Sequence, residues 1–232
     1  MNKRVKIGIV LSLILLGLVG FFSYKKSKNN TTENHFLTHV ERNLSEADRK
    51  TFQDRIKETL DKVNQTQDNA VKYNLYLQLG NYEFVLGNLE ESKNYFNESI
   101  KISSDQYDVY EGLFLTQVDM QDYQGAEQSI RKAISIRKGS GDLWKKYIQF
   151  KIERMNSTNE EIIRLFEESL NDTSKNGDVA SYTDVLTFYA TWLEKIGNLQ
   201  SAIDYWKKAV VSNPSQKTIY QAEIDRIIKL FK

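Results

Sequence analysis

Residues of similar type recur along the middle of the chain at a fixed distance of 34 positions. The aromatic residues Tyr76, Tyr110 and Trp144 follow this spacing, and so do the bulky apolar residues Phe96 and Ile130. A unit of this length cannot bury its apolar face alone, so successive units have to stack on one another. The period therefore predicts a solenoid of repeated helical units.

The stretch 182–214 is the clearest of these units, because it reads as two amphipathic helices joined by a glycine turn. Apolar residues recur at helical spacing on each side of the turn, namely Leu186, Tyr189, Ala190 and Leu193, then Ala202, Trp206, Ala209 and Val210. Between them, Gly197 suits the left-handed conformation that ends a helix, and Asn198 suits the cap of the next one. Pro214 then stops the second helix, so the stretch predicts a helical hairpin.

This hairpin resembles the tetratricopeptide repeat (TPR), whose second half is marked by a spaced alanine, an aromatic residue and a closing proline. Ala202, Trp206, Ala209 and Pro214 match that half, and the first helix matches by hydrophobic type. Within residues 69–214 the resemblance gives four repeats, at 73–106, 107–140, 141–176 and 183–214. It implies an all-α, right-handed solenoid of helix-turn-helix repeats.

Several positions depart from the family pattern. Glu83 stands where the family has tyrosine, and Phe114 and Gln121 replace glycines in the second repeat. In the third repeat we expect a longer turn, with Thr158 and Glu161 forming a capping box. We place six extra residues of that repeat in a surface loop over residues 171–178. We read Gly139-Ser140-Gly141 as a plain turn in which Asp142 caps the next helix.

Amphipathic segments at both ends of the array are predicted to cover its apolar faces. At the N-terminal side, Ser45 begins a capping helix over residues 45–68, and short amphipathic turns are expected around Phe36, Leu37, Val40 and Leu44. At the C-terminal side, residues 215–232 form a second capping helix. Its buried face is predicted to consist of Tyr220, Ile224, Ile227 and Phe231.

The start of the chain predicts a membrane anchor. A basic flank, residues 1–6, precedes 18 uncharged residues, 7–24, which as a helix would span roughly 27 Å of hydrocarbon. The end of this run lacks a good small-x-small site, which favours an uncleaved anchor over a cleaved signal peptide. Residues 25–44 form a polar tether. We expect a single-pass protein whose repeats lie outside the cytoplasm, although the flanking charges favour this orientation only slightly.

The remaining composition gives no support for catalysis or for nucleic-acid binding. Beyond residue 28 the chain has 26 basic and 31 acidic residues, and nucleic-acid binders normally present a basic face. There is no cysteine, and the only histidines, His35 and His39, are two ligands at most. The acidic pairs Glu90-Glu91 and Glu160-Glu161 suit the first turns of helices. We therefore expect no enzyme activity, no cofactor and no metal site.

What remains is a surface for binding proteins. The TPR resemblance implies that the first helices of successive hairpins line a concave groove. The residues that follow their packing stripe are Asn74, Leu77, Asn81, Phe84, Glu111, Leu115, Val118, Lys145, Gln149 and Ile152. The expected function is a non-catalytic adaptor or scaffold at a membrane that assists assembly or quality control of an envelope protein complex. The alternative is a structural self-association module whose groove is filled by its own chain or another copy.

Overall fold

The computed structural model describes residues 36–230, and ten α-helices account for most of them. They are α1 (Glu46–Gln65), α2 (Asn69–Leu86), α3 (Leu89–Ile102), α4 (Tyr107–Met120), α5 (Tyr123–Ile136), α6 (Gly141–Arg154), α7 (Asn159–Asn176), α8 (Val179–Lys195), α9 (Leu199–Ser212) and α10 (Lys217–Lys229). A 3-10 turn, Pro214–Gln216, joins the last two. The prediction of an all-α solenoid of repeated helices is confirmed.

Left-handed residues end the first helices of three hairpins. Gly87 has φ 86° and Gly197 has φ 80°, and in each the backbone N–H closes the last helical turn. Gln121 adopts the same conformation, with φ 65°, where the family has glycine. The third hairpin turns differently: its longer connection leads to Thr158 and Glu161, which form the predicted capping box.

One helix packs against each end of the array. Helix α1 begins after Ser45, whose hydroxyl accepts the Asp48 N–H at 3.1 Å, and its Val63 joins Leu75 and Leu79 of α2 in a buried cluster. At the other end, Ile224 and Ile227 of α10 are buried in the main core, and Tyr220 packs on that core. Phe231 lies outside the described residues.

Three local predictions were wrong. Residues 171–176 are helical, because α7 continues to Asn176, and α8 begins already at Val179. Asp172 holds these extra turns against the preceding linker: its Oδ2 accepts the indole N–H of Trp144 at 2.7 Å and the Gly139 N–H at 2.8 Å. Ser140, not Asp142, caps α6.

The third wrong prediction is the short amphipathic turn around Val40. Residues 36–45 contain no helix. We call residues 36–44 the strap, because their backbone hydrogen-bonds to the ends of α2 and α4; a tight turn follows, in which the Leu44 N–H donates to the Arg42 carbonyl at 2.8 Å.

The predicted anchor cannot be compared with the structure. Residues 1–6, the span 7–24 and the first part of the tether, 25–35, lie outside the described residues. Within residues 36–230, no helix combines the length and the apolarity needed to cross a membrane.

Candidate protein-binding groove

The ten predicted groove residues lie on the first helices of three successive hairpins, α2, α4 and α6. None of the ten is buried: Asn74 and Asn81 are exposed, and the other eight are half-buried. They therefore belong to a surface and not to the interior of the solenoid. We call the surface made by these ten residues the groove face.

Five members of this face are apolar, and we call them the lane: Leu77, Phe84, Leu115, Val118 and Ile152. The inner side of Leu77 packs against the buried cluster around Phe96. Leu115, Val118 and Ile152 pack in the same way against the main core. Because each of these four side chains is anchored on one side and open on the other, the lane presents apolar area from a rigid base.

Polar contacts connect successive first helices beside the lane. The Tyr73 hydroxyl of α2 donates to Asp108 of α4 at 2.6 Å. Lys146 of α6 donates to Glu111 of α4 at 2.7 Å. Lys145 of α6 pairs with Asp184 of α8 at 3.3 Å. These three carboxylates already have partners within the protein, so they are not free to select a ligand by charge.

Lys146 shows the electrostatic balance at this face. Its burial disfavours the charged form, but hydrogen bonds to Asp142 and Glu111 outweigh that penalty and raise its pKa. A lysine held in this way stays charged at physiological pH. It neutralises the two carboxylates next to the lane, so that the lane lies in a balanced and not a strongly acidic setting.

An ion pair joins the C-terminal helix α10 to the first helix of the fourth hairpin, α8. Arg226 makes a two-pronged ion pair with Glu194 of α8, and both N–O distances are 2.7 Å. Hydrogen bonds from Arg226 hold the pKa of Glu194 below its usual range. Both side chains are partly exposed to solvent, so the pair contributes about 1 kcal/mol or less to stability.

The strap covers the other end of the face and was missed by the sequence reasoning. Arg42 of the strap lies 4.7 Å above the ring of Phe84 and 2.5 Å from Asp119 Oδ2. The signal that could have revealed it is an alternation of period two, Val40-x-Arg42-x-Leu44, which is typical of extended chain and not of a helix.

Only one of the two histidines lies in the described part of the chain. His35 lies outside it. His39 is in the strap, where its Nδ1 contacts the Asn88 Oδ1 at 3.2 Å. Residues 36–230 contain no group of three His, Cys, Asp or Glu side chains placed to hold a metal ion.

Comparison with known proteins agrees with this geometry. The tetratricopeptide repeat model matches residues 73–106, which span α2 and α3. Residues 73–106 therefore form a tetratricopeptide repeat. Its fold is similar to that of a solved structure of MamA, with a TM-score of 0.52 and 15% identity over 77% of this chain and 99% of that one. A structure of PilF from Pseudomonas aeruginosa gives a TM-score of 0.49 and 19% identity, covering 69% of each chain. No curated protein matches the chain.

Proposed function

We propose that this TPR protein is a non-catalytic scaffold that binds a segment of another protein on its groove face. The observation that carries the proposal is the apolar lane, which runs across α2, α4 and α6 and is held by packing from beneath. Apolar side chains left open on a rigid surface supply binding free energy when a partner covers them. The polar contacts beside the lane keep successive first helices in register.

Site-specific crosslinking tests this proposal. A photoreactive amino acid at Gln149, on the groove face, is expected to capture a partner in intact cells. The matched control is Gln128, an exposed residue on the second helix α5. Replacing Val118 and Ile152 with serine should lower capture at Gln149 by about tenfold or more, which corresponds to about 1.4 kcal/mol. Unchanged capture in a variant of normal helical content, or capture at Gln128 alone, would refute the proposal.

A second candidate function is structural self-association, with the groove filled by the protein's own chain or by another copy. The strap favours it, because Arg42 already covers Phe84 with the protein's own chain. Sedimentation of the full chain in mild detergent separates the scaffold from self-association between two copies. A scaffold remains a monomer, whereas a self-association module forms a dimer that dissociates when Ile152 is replaced with serine.

We further propose that residues 7–24 anchor the protein in a membrane, with the repeats outside the cytoplasm, where they assist assembly or quality control of an envelope complex. The uncharged run and the basic residues before it motivate this proposal. A mature protein that begins after Phe22 would disprove the anchor. A reporter fused after Lys232 that is active only in the cytoplasm would disprove the orientation.

A further inference from the structure

The strap is held by backbone hydrogen bonds that any extended peptide can make. The Leu37 N–H donates to the Met120 carbonyl and the Val40 N–H donates to the Gly87 carbonyl, both at 2.9 Å. The Thr38 carbonyl accepts the N–H groups of Leu89 and Glu90, at 2.9 and 3.2 Å. Such contacts fix the path of a bound segment and its direction without selecting its sequence.

The side chain of Arg42 gives the strap its specificity. It is 5% exposed, it pairs with Asp119, and its guanidinium lies over the face of Phe84. Asp119 comes from α4 and Phe84 from α2, so the solenoid itself supplies both walls of the site. A planar guanidinium fits a site made of a carboxylate and an aromatic ring better than the ammonium group of lysine does.

The turn beneath the strap permits an unusually close approach. A Cβ atom at Gly87 would lie 1.9 Å from the Val40 carbonyl oxygen and 3.2 Å from the Arg42 side chain. Gly87 therefore does more than end α2, because the absence of a side chain makes room for the backbone of another segment, here the strap. In the described residues, no heavy atom comes within 4 Å of the corresponding position at Gly197.

The solenoid does not depend on the strap for its core. Arg42 is the one buried residue that the strap contributes, and Leu37, Val40 and Leu44 are half-buried. The strap does cap α3 through Thr38, but Asn88 stands at the N-cap of that helix. Asn198 stands at the equivalent position before α9 and caps that helix with its own side chain, whose Oδ1 accepts the Ser201 N–H at 3.3 Å. Asn88 has the same chemistry available once the strap leaves.

We propose that Phe84, Asp119 and the turn at Gly87 form a binding site for an extended segment of a partner protein that carries an arginine between two aliphatic residues. The strap occupies this site as an internal placeholder, and its Val40-x-Arg42-x-Leu44 pattern is the template for the ligand. The inference rests on the proposed function in protein binding and names the chemistry of the partner. The strap competes with the partner segment for this site. The apparent dissociation constant of the partner segment therefore equals its intrinsic constant divided by the fraction of molecules whose strap is open.

Binding of a synthetic peptide tests the inference directly. The probe is the fluorescent, end-blocked peptide FLTHVERNL, which copies residues 36–44. The full chain with Arg42→Ala should bind it at least about tenfold more tightly than the unchanged protein does. The same peptide with alanine in place of arginine should bind weakly or not at all.

Second substitutions in the Arg42→Ala protein provide the matched controls. Adding Asp119→Ala should abolish peptide binding, whereas adding Asp184→Ala should leave it unchanged, since Asp184 lies on α8, away from the strap. Failure of a folded Arg42→Ala protein to bind, or equal binding of the two peptides, would overturn the proposal.

Hydrogen exchange of the unchanged protein gives an independent test that needs no variant to fold. The amides of Leu37, Val40 and Leu89 should open together and faster than the amide of Phe96 inside α3. Exchange of all four only by global unfolding would make the strap a permanent part of the fold and refute the inference. Peptide binding without capture at Gln149 would reject the groove function alone, and capture at Gln149 without peptide binding would reject this inference alone.

Discussion

The first and fourth hairpins are built on the same turn, yet they use it differently. In both, a left-handed glycine and an asparagine join the two helices. At the fourth hairpin, Asn198 caps its own helix, and within residues 36–230 no heavy atom beyond the turn itself comes within 4 Å of where a Cβ atom of Gly197 would lie. At the first, Asn88 donates to Glu83 at 2.7 Å, and the strap carbonyl of Thr38 serves as the cap. The same Gly-Asn-Leu sequence is thus an isolated turn in the fourth hairpin and the docking surface of the strap in the first.

The interiors of the two hairpins differ as well. Phe96 is fully buried between two glycines, Gly80 of its own hairpin and Gly112 of the next. Trp206 holds the same repeat position in the fourth hairpin, where it lies 5.8 Å from the ring of Tyr220 in α10. The first hairpin is therefore closed by a repeat on its outer side, and the fourth is closed only by the capping helix.

The largest difference between the hairpins is expected from removing these aromatic rings. Phe96→Ala should cost about 3–5 kcal/mol, because it leaves a cavity shared by α2, α3 and α4. Trp206→Ala should fall at the lower end of that range, since Trp206 is 8% exposed and contacts a terminal helix. Urea unfolding of both variants, compared at equal m-value, measures which substitution lowers the free energy of unfolding more. A greater loss in Trp206→Ala would contradict this view of the first hairpin.

The glycine that contacts Phe96 provides the next test. A Cβ atom at Gly80 would lie 2.6 Å from the Phe96 ring, so Gly80→Ala should cost about 1–3 kcal/mol through overpacking. The fourth hairpin already has an alanine, Ala190, at this repeat position. Ala190→Gly, the reverse change, should cost about 1 kcal/mol through helix propensity. Equal melting temperatures for Gly80→Ala and the unchanged protein would show that Phe96 moves freely aside.

Substitutions at the two turn glycines distinguish the cost of backbone strain from the cost of losing contact with the strap. Alanine at Gly87 or Gly197 has to adopt the left-handed conformation, which costs about 1–2 kcal/mol. Gly87→Ala should cost about 1 kcal/mol more than Gly197→Ala, because it also displaces the hydrogen-bonded strap. Thermal unfolding measures both costs. If the two substitutions cost the same, the strap contributes nothing at this turn.

The smallest expected effect is a dependence on pH at one position of the first hairpin, where the fourth hairpin has no titratable group. Burial raises the pKa of Glu83, although a hydrogen bond from Asn88 opposes the rise. The folded protein then holds this proton more tightly than the unfolded chain, so the contribution of Glu83 to stability is present at low pH. It falls as pH rises above the ordinary carboxyl pKa of about 4.3.

Glu83→Gln should make stability less dependent on pH across that window, as measured by urea unfolding at several pH values. The fourth hairpin has Leu193 at the same repeat position. Leu193→Val should therefore lower stability by the same amount at each pH. A Glu83→Gln protein that keeps the full pH dependence would show that another group titrates.

Features that depend on local periodicity were predicted from the sequence, and features that depend on distant contacts were not. The helices of the first and fourth hairpins follow from apolar spacing and glycine turns. The last turns of α7 carry polar residues without an apolar stripe, and Asp172 finds its partners 28 and 33 positions away. Arg42 meets Asp119 across 77 positions. The placement of the ten candidate residues on first helices was accessible to sequence reasoning, but the partners of the charges beside them were not.

The contacts between successive first helices have a mechanical consequence. Lys146 joins α6 to α4, Lys145 joins α6 to α8, and Arg226 joins α10 to α8, so three ion pairs connect elements along one side of the solenoid. Added salt screens exposed pairs of this kind. The stack should then lengthen slightly as ionic strength rises, which small-angle X-ray scattering measures as a larger radius of gyration. A larger radius of gyration at high salt would show that these ion pairs are salt-sensitive links between neighbouring helices.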